Sequence, residues 1–192
     1  MMPKHTDVKT FVPTIYGDFL ETFGASWTQQ IQSLQQQFGV SIVSIAMPGT
    51  AAVDIPTVLV KASAVHSILF YLKDHFGYQF LTDMTAVDET PADPRFLLVF
   101  HLFNLETKAR IRIKAAVAEN ETIATFISIW PGANWAEREI FDMFGIRFEG
   151  HPDLRRILMD IRFEGHPLRK DYPLRGYQVF LTPEPIDPEL LK

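Results

Sequence analysis

The sequence predicts an α+β fold: a mixed, mostly antiparallel sheet covered by helices, followed by an extended C-terminal arm of little regular structure. Three observations predict it. Helical stripes of apolar residues (Trp27, Ile31, Leu34, Phe38; then Val65, Ile68, Leu69, Leu72, Phe76) interrupt segments that alternate apolar and polar residues. The alternating segments cluster between the second stripe and residue 117, so strands follow strands there. Six of the thirteen prolines fall in residues 145–192, where a missing amide donor and a fixed φ oppose long helices and central strands.

In chain order, the first stripe predicts a helix over Trp27–Phe38, stopped by Gly39. Val40–Met47 alternates as a strand, Pro48-Gly49 is a turn, and Ala52–Ile55 reads as a second short strand. Thr57–Lys61 fits either strand or helix. The second stripe predicts a helix closed by Gly77. Three strands follow, over Tyr78–Val87, Arg95–Leu105 and Lys108–Val117, the last with Arg110, Arg112 and Lys114 on a wet face. Asn104-Leu105-Glu106-Thr107 suits a hairpin turn. Thr122–Trp130 and Ala133–Phe144 read as two short helices around Pro131-Gly132, the second capped by Asn134 and carrying Glu137 and Glu139 early, where the dipole favours them. This divides the chain into an N-terminal tail or docking segment (1–20), a globular domain (21–144) and an arm (145–192), with the boundary near Gly145.

Composition narrows the function. The 192 residues contain no cysteine, which excludes thiolate zinc sites and cysteine-held iron–sulfur clusters on this chain. A net charge of -5 opposes non-specific nucleic-acid binding. The longest apolar stretch, near Phe96–Phe103, is far below the roughly 20 residues of a membrane span, and the N-terminus lacks a signal-peptide core. The expectation is a soluble chain that meets a membrane only through partners.

The arm carries the most specific feature. Ile146-Arg147-Phe148-Glu149-Gly150-His151-Pro152 recurs as Ile161-Arg162-Phe163-Glu164-Gly165-His166-Pro167, and each copy leads into a leucine and two basic residues, Leu154-Arg155-Arg156 and Leu168-Arg169-Lys170. Glycine permits a left-handed turn, and a residue before proline is driven to extended geometry, so each copy predicts a sharp turn and a straight run. The arginines offer planar donors for carboxylates, and Phe148, Phe163 and Tyr172 are aromatic anchors. Such a segment cannot form its own core and is read as a partner-binding arm that lies on a neighbour's surface; folding back over its own domain is the alternative. Two catalytic readings are weaker. His151, Asp153 and His166 with Glu149 and Glu164 could suggest a metal site, but their spacing follows turns. Glu137 and Glu139 lie about 200° apart on a helix and cannot share a proton. Glu137, Arg138, Glu139 and Asp142 read better as a network fixing the helix against the arm's arginines. A free-standing enzyme built on Glu139, Asp142 and His151 would require a pocket of its own.

The run from Glu137-Arg138-Glu139-Ile140-Phe141-Asp142-Met143-Phe144-Gly145 through His151-Pro152-Asp153-Leu154-Arg155-Arg156, continued by Gly165-His166-Pro167-Leu168-Arg169-Lys170-Asp171-Tyr172-Pro173, closely resembles the signature of the C subunit of bacterial respiratory complex I, the thirty-kilodalton subunit family of NADH:quinone oxidoreductase. Asp160-Ile161-Arg162-Phe163 departs from it, since relatives often carry a proline and acidic residues there. The resemblance covers about residues 130–175. It implies a non-catalytic structural subunit of the peripheral arm of a proton-translocating complex, on the cytoplasmic side of the bacterial membrane. It further implies no redox group on this chain, with iron–sulfur clusters and FMN on partner subunits. The implied partners are the large D subunit, which forms the quinone site and which this chain would brace, and the B and I subunits. The equivalent subunit of a membrane-bound hydrogenase or ferredoxin-linked complex is the alternative.

Overall fold

The computed structural model of the chain describes residues 17–46, 48 and 55–176. Residues 52–54 of the short strand expected at Ala52–Ile55, most of the expected N-terminal tail and residues 177–192 lie outside them. Helix α1 (Gly17–Phe38) runs through a single 3₁₀ turn into strand β1 (Ile42–Ala46). Then come β2 (Thr57–Lys61), α2 (Ala62–Phe76), β3 (Phe80–Asp88), β4 (Phe96–Phe103), β5 (Arg110–Val117), β6 (Thr122–Ala124), α3 (Ala133–Phe144) and β7 (Arg147–Glu149). The main sheet has the order β1-β2-β5-β4-β3, with β1 and β2 antiparallel, so the connection through α2 crosses from one half of the sheet to its far edge. The ambiguous segment 57–61 is therefore a strand: Val58 and Val60 alternate inward, and β-branched side chains fit that pleat. β6 and β7 form a separate parallel pair, joining Ile123 to Phe148.

The chain divides into two compact units, and β3, β4 and β5 contribute residues to both. In the first (residues 1–82 and 99–115), α1 and α2 supply Trp27, Ile31, Leu34, Val65, Ile68, Leu69 and Leu72 to a core shared with Val58, Val60, Phe100, Leu102, Ile111 and Ile113. Every second residue of β5 from Ile111 to Val117 is buried, which is the expected one-sided strand. Tyr78 is buried and donates its hydroxyl to Gln30 at 2.8 Å. Gly77 closes α2 in the left-handed region (φ 67). The hairpin turn expected at 104–107 is organised by buried Asn104, whose Oδ1 accepts the amides of Glu106 and Thr107 while its Nδ2 donates to Phe76 O at 2.7 Å.

The second unit (residues 83–98 and 116–192) buries Met84, Phe96, Leu98, Ile123, Phe126, Ile140, Phe144 and Phe148. Here one expectation is corrected. Thr122–Trp130 is not a helix: Thr122–Ala124 is β6, and the next residues turn, with Ile129 and Trp130 both donating to Phe126 O. The Glu137 carboxylate takes the Phe126 amide and the Thr125 hydroxyl, and this fixes the chain in a tight bend. The cap of α3 is Gly132, not Asn134, and no side chain caps that end.

Replacing Asn104 by alanine strands the Phe76 carbonyl and two turn amides. Urea denaturation is expected to show a loss of about 1–3 kcal/mol; an unchanged midpoint would remove Asn104 from this role.

Candidate functional site

The site is the last turn of α3 and the segment that wraps it. α3 ends at Gly145 (φ 80), whose amide donates to Phe141 O. A helix leaves its final carbonyls without internal donors, and a buried end must find them elsewhere. The arm supplies them. His166 Nδ1 meets Asp142 O at 3.0 Å, the Leu168 amide donates to Met143 O at 3.1 Å, and Arg169 Nε donates to Phe144 O at 2.6 Å. A Cβ at position 145 would lie 2.5 Å from His166 Nε2 and 2.7 Å from Arg169 Nη2, so the approach needs glycine for space as well as for φ.

Asp142 holds the arm from the other side. Its side chain is fully buried and carries an ion pair with Arg156 at 2.7 Å. Its second oxygen accepts three successive amides, those of Ile157 (3.0 Å), Leu158 (2.8 Å) and Met159 (2.9 Å). Burial raises the carboxyl's pKa, but the three amides and the guanidinium outweigh it and hold the group below the ordinary carboxylate range. Arg156 also donates to Gly165 O and lies over the Phe163 ring. Arg138, one turn earlier on α3, donates to the carbonyls of Arg155 and Arg156 and stacks on exposed Trp135.

The two repeat copies address the two ends of the same helix. His151 accepts the Asp153 amide on Nδ1, so its Nε2 proton goes to Asn134 O at 3.2 Å in the first turn. Burial lowers the His166 pKa, with Arg169 and Arg156 adding to the shift, and the neutral ring donates from Nδ1 to Asp142 O. The copies therefore use opposite tautomers. Gly150 (φ 80) and Gly165 (φ 89) make the expected left-handed turns. A Cβ on Gly165 would meet the Tyr172 ring at 2.8 Å, and Tyr172 packs on Phe163.

A second anchor was not legible as a site. Asp88 is buried at the end of β3, in phase with Met84 and Ala86. It accepts Arg95 Nη2 (2.8 Å), the Thr90 hydroxyl (2.6 Å) and the Lys170 amide (2.8 Å). Burial opposes ionisation, yet these donors hold its pKa far below normal. Arg95 reaches Glu119 and Asp171 as well, and Glu119 also takes Arg169. An aspartate at the buried phase of an alternating strand is the signal that could have flagged it.

The arginines expected on a neighbour's carboxylates are engaged within the chain. Arg156 is on Asp142, Arg169 on Glu119, and Arg155 on exposed Asp153. The described part of the arm thus lies on α3 of its own chain, the alternative to the expected neighbour's surface, and its donors meet the buried carboxylate and the helix-end carbonyls there. The expected acidic network is also divided. Arg138 and Asp142 face the arm, buried Glu137 faces the 125–126 bend, and Glu139 is exposed. Pro152 and Pro167 follow the two histidines as the turn chemistry requires, and Lys170 contributes its amide. Among the described residues no group of three or more His, Asp or Glu side chains is placed to hold a metal ion, and no helix is long and apolar enough to cross a membrane.

The imidazoles and buried charges of this site are committed to backbone carbonyls and amides, within an α+β fold. The sequence pattern of the respiratory-chain NADH dehydrogenase 30 Kd subunit matches residues 58–178, and the chain belongs to that family. It is 50% identical over 121 residues to the C subunit of NADH-quinone oxidoreductase from Geotalea uraniireducens (strain Rf4), spanning 62% of this chain and 74% of that one. It is 44% identical over 154 residues to the protein of the same name from Trichlorobacter lovleyi (strain ATCC BAA-1151 / DSM 17278 / SZ), spanning 79% and 93%. A chain in the structure of the membrane-bound sulfane sulfur reductase, an archaeal respiratory membrane complex, shares the fold with a TM-score of 0.62, at 22% identity over 85% of this chain and 97% of that one.

Removing one partner of a buried ion pair leaves the other uncompensated, so Asp142→Ala should destabilise the second unit by about 3–5 kcal/mol. Limited proteolysis should then cut between residues 150 and 170, where the wild type is expected to resist; equal protection in both would refute the anchor. Burial pushes the Glu137 carboxyl up to about 7 against hydrogen bonds from Thr125 and the Phe126 amide. A raised folded-state pKa gives stability that is complete below the unfolded value near 4.5 and lost as pH climbs through 7. Thermal unfolding across pH 4–8 should show that decline, and Glu137→Gln should flatten it.

Proposed function

We propose that this chain is a non-catalytic structural subunit of a proton-translocating NADH:quinone oxidoreductase. In this reading it sits on the peripheral part of the complex, at the cytoplasmic face of the bacterial membrane. There it braces the large quinone-site D subunit, next to the B and I subunits. The carrying observation is the 50% identity over 121 residues to a protein named as the C subunit of NADH-quinone oxidoreductase, an alignment about as long as the family match over residues 58–178. The structure supports the scaffold role through its arm: Asp142 and Asp88 pre-order residues 150–172, so little entropy remains to be lost when a neighbour docks. Electron carriers, iron–sulfur clusters and FMN, belong to the partner subunits in this reading.

The second reading is the equivalent subunit of a related membrane-bound hydrogenase or ferredoxin-linked complex, with which the shared fold of a chain from an archaeal respiratory membrane complex is compatible without selecting it.

The test is to purify the tagged full chain from membranes of its host and identify the oxidoreductase chains that accompany it. NADH- and quinone-site subunits are expected. Hydrogenase-type subunits in their place would select the second reading, and a chain that purifies alone would overturn both. Arg156→Ala should lower the yield of assembled complex while leaving turnover per assembled complex unchanged. Normal yield with lost turnover would give this chain a direct part in catalysis.

A further inference from the structure

In the first unit, α1 and α2 cover the face of the main sheet to which Val58, Val60, Leu102, Ile111 and Ile113 point. The alternate residues form the opposite face. On the central strand β5 they are Arg110, Arg112 and Lys114. Beside it, β2 adds Leu59 and Lys61, and β4 adds His101 and Phe103.

This face carries one sign of charge in a chain whose net charge is -5. Strands β1, β2, β4 and β5 hold those four cations and no Asp or Glu. The sheet's two aspartates are both on the edge strand β3, where Asp88 is buried on Arg95 and Asp83 is exposed. Lys61 and Lys114 make no ion pair among the described residues. The Arg110 guanidinium lies 5.3 Å from the Phe103 ring centroid, and Arg112 Nε donates to His101 Nε2 at 3.3 Å. These contacts hold two of the cations on the face without neutralising them. Alternate side chains of a strand are about 7 Å apart, so the row on β5 repels itself and gives the sheet no stability of its own.

The surroundings select what can cover such a row. Base stacking needs a bare aromatic ring, and Phe103 is already roofed by Arg110. Insertion into a bilayer needs a protruding apolar side chain, and Leu59 is half-buried. β5 is paired on both sides, by β2 and β4, so no strand can be added to it and any contact runs through side chains. A helix lying on the sheet meets all three conditions. Carboxylates four residues apart on a helix are separated by about 6 Å along its axis, close to the interval of the cations.

We propose that the face bearing Lys61, Arg110, Arg112 and Lys114 takes an acidic α-helix of another polypeptide, with Asp or Glu side chains one turn apart over β5 and apolar side chains against Leu59. The helix adds a third layer to the sheet. The inference goes beyond the subunit reading, concerns a surface remote in sequence from the arm, and does not depend on which complex the chain joins.

A photoreactive lysine analogue that keeps the ammonium group, placed at position 114 of the tagged full chain in its host, reads this contact without changing the charge of the face. Irradiation and mass spectrometry are expected to show a link to an Asp- or Glu-rich helical segment of another polypeptide. Links to nucleic acid or lipid, links confined to this chain, or no link at all overturn the proposal. Adding Lys61→Glu and Arg110→Glu is expected to lower the yield of the link roughly tenfold, as the loss of interfacial charge pairs requires, with an unchanged thermal midpoint. An undiminished link overturns it. Salt gives a check that does not rely on the folding of that variant. Raising it from about 50 to about 500 mM should reduce the link several-fold in the chain with Lys61 and Arg110 intact, and a yield indifferent to salt overturns the proposal. A chain that forms the link but recovers no oxidoreductase subunit fails the subunit reading and supports this surface.

Discussion

A single buried carboxylate determines where the chain runs directly after α3 and β7. Asp142 lies where α3 ends, and its own helix cannot satisfy it. An ionised group in that position is tolerable only if donors converge on it, and four do: one guanidinium and three consecutive amides. Three amides in a row can reach one oxygen only when the backbone curls around it. The requirement of one side chain therefore dictates the path of residues 156–159. The helix-end carbonyls of Asp142, Met143 and Phe144, which have no donor within α3, do the same for residues 166–169.

Most of the fold was legible because periodicity encodes burial. The stripes of α1 and α2, the alternation of β5 and the turn at Asn104 all follow from which face must leave water. The segment 122–130 was misread because its apolar spacing suits a helix, while its conformation is set by Glu137, a residue more than ten positions away whose burial no local pattern announces. The same limit explains the arm. Its turns were readable from Gly-His-Pro, and its arginines were readable as carboxylate partners. Whose carboxylates they meet depends on Asp88, Glu119 and Asp142, which are brought together only by the folded sheet and helix.

The division of labour among the signature residues is physically ordered. Those facing inward (Asp142, Arg156, His166, Arg169, Gly145) finish a helix end, and their cost or benefit is a matter of stability. Those facing outward sit on turns whose backbone the inward set has already fixed. On a backbone fixed in this way, little order remains to be created when contact is made.

The two identical heptads also bear on how far a short sequence specifies its shape. Arg147-Phe148-Glu149 is a strand paired with β6, whereas Arg162-Phe163-Glu164 is in no strand at all, and only the left-handed glycine and the carbonyl-seeking histidine survive in both settings. Transplanted into an unrelated protein, this heptad would carry a bend and a hydrogen-bonding ring. Whether its first three residues became a strand would be decided by the host.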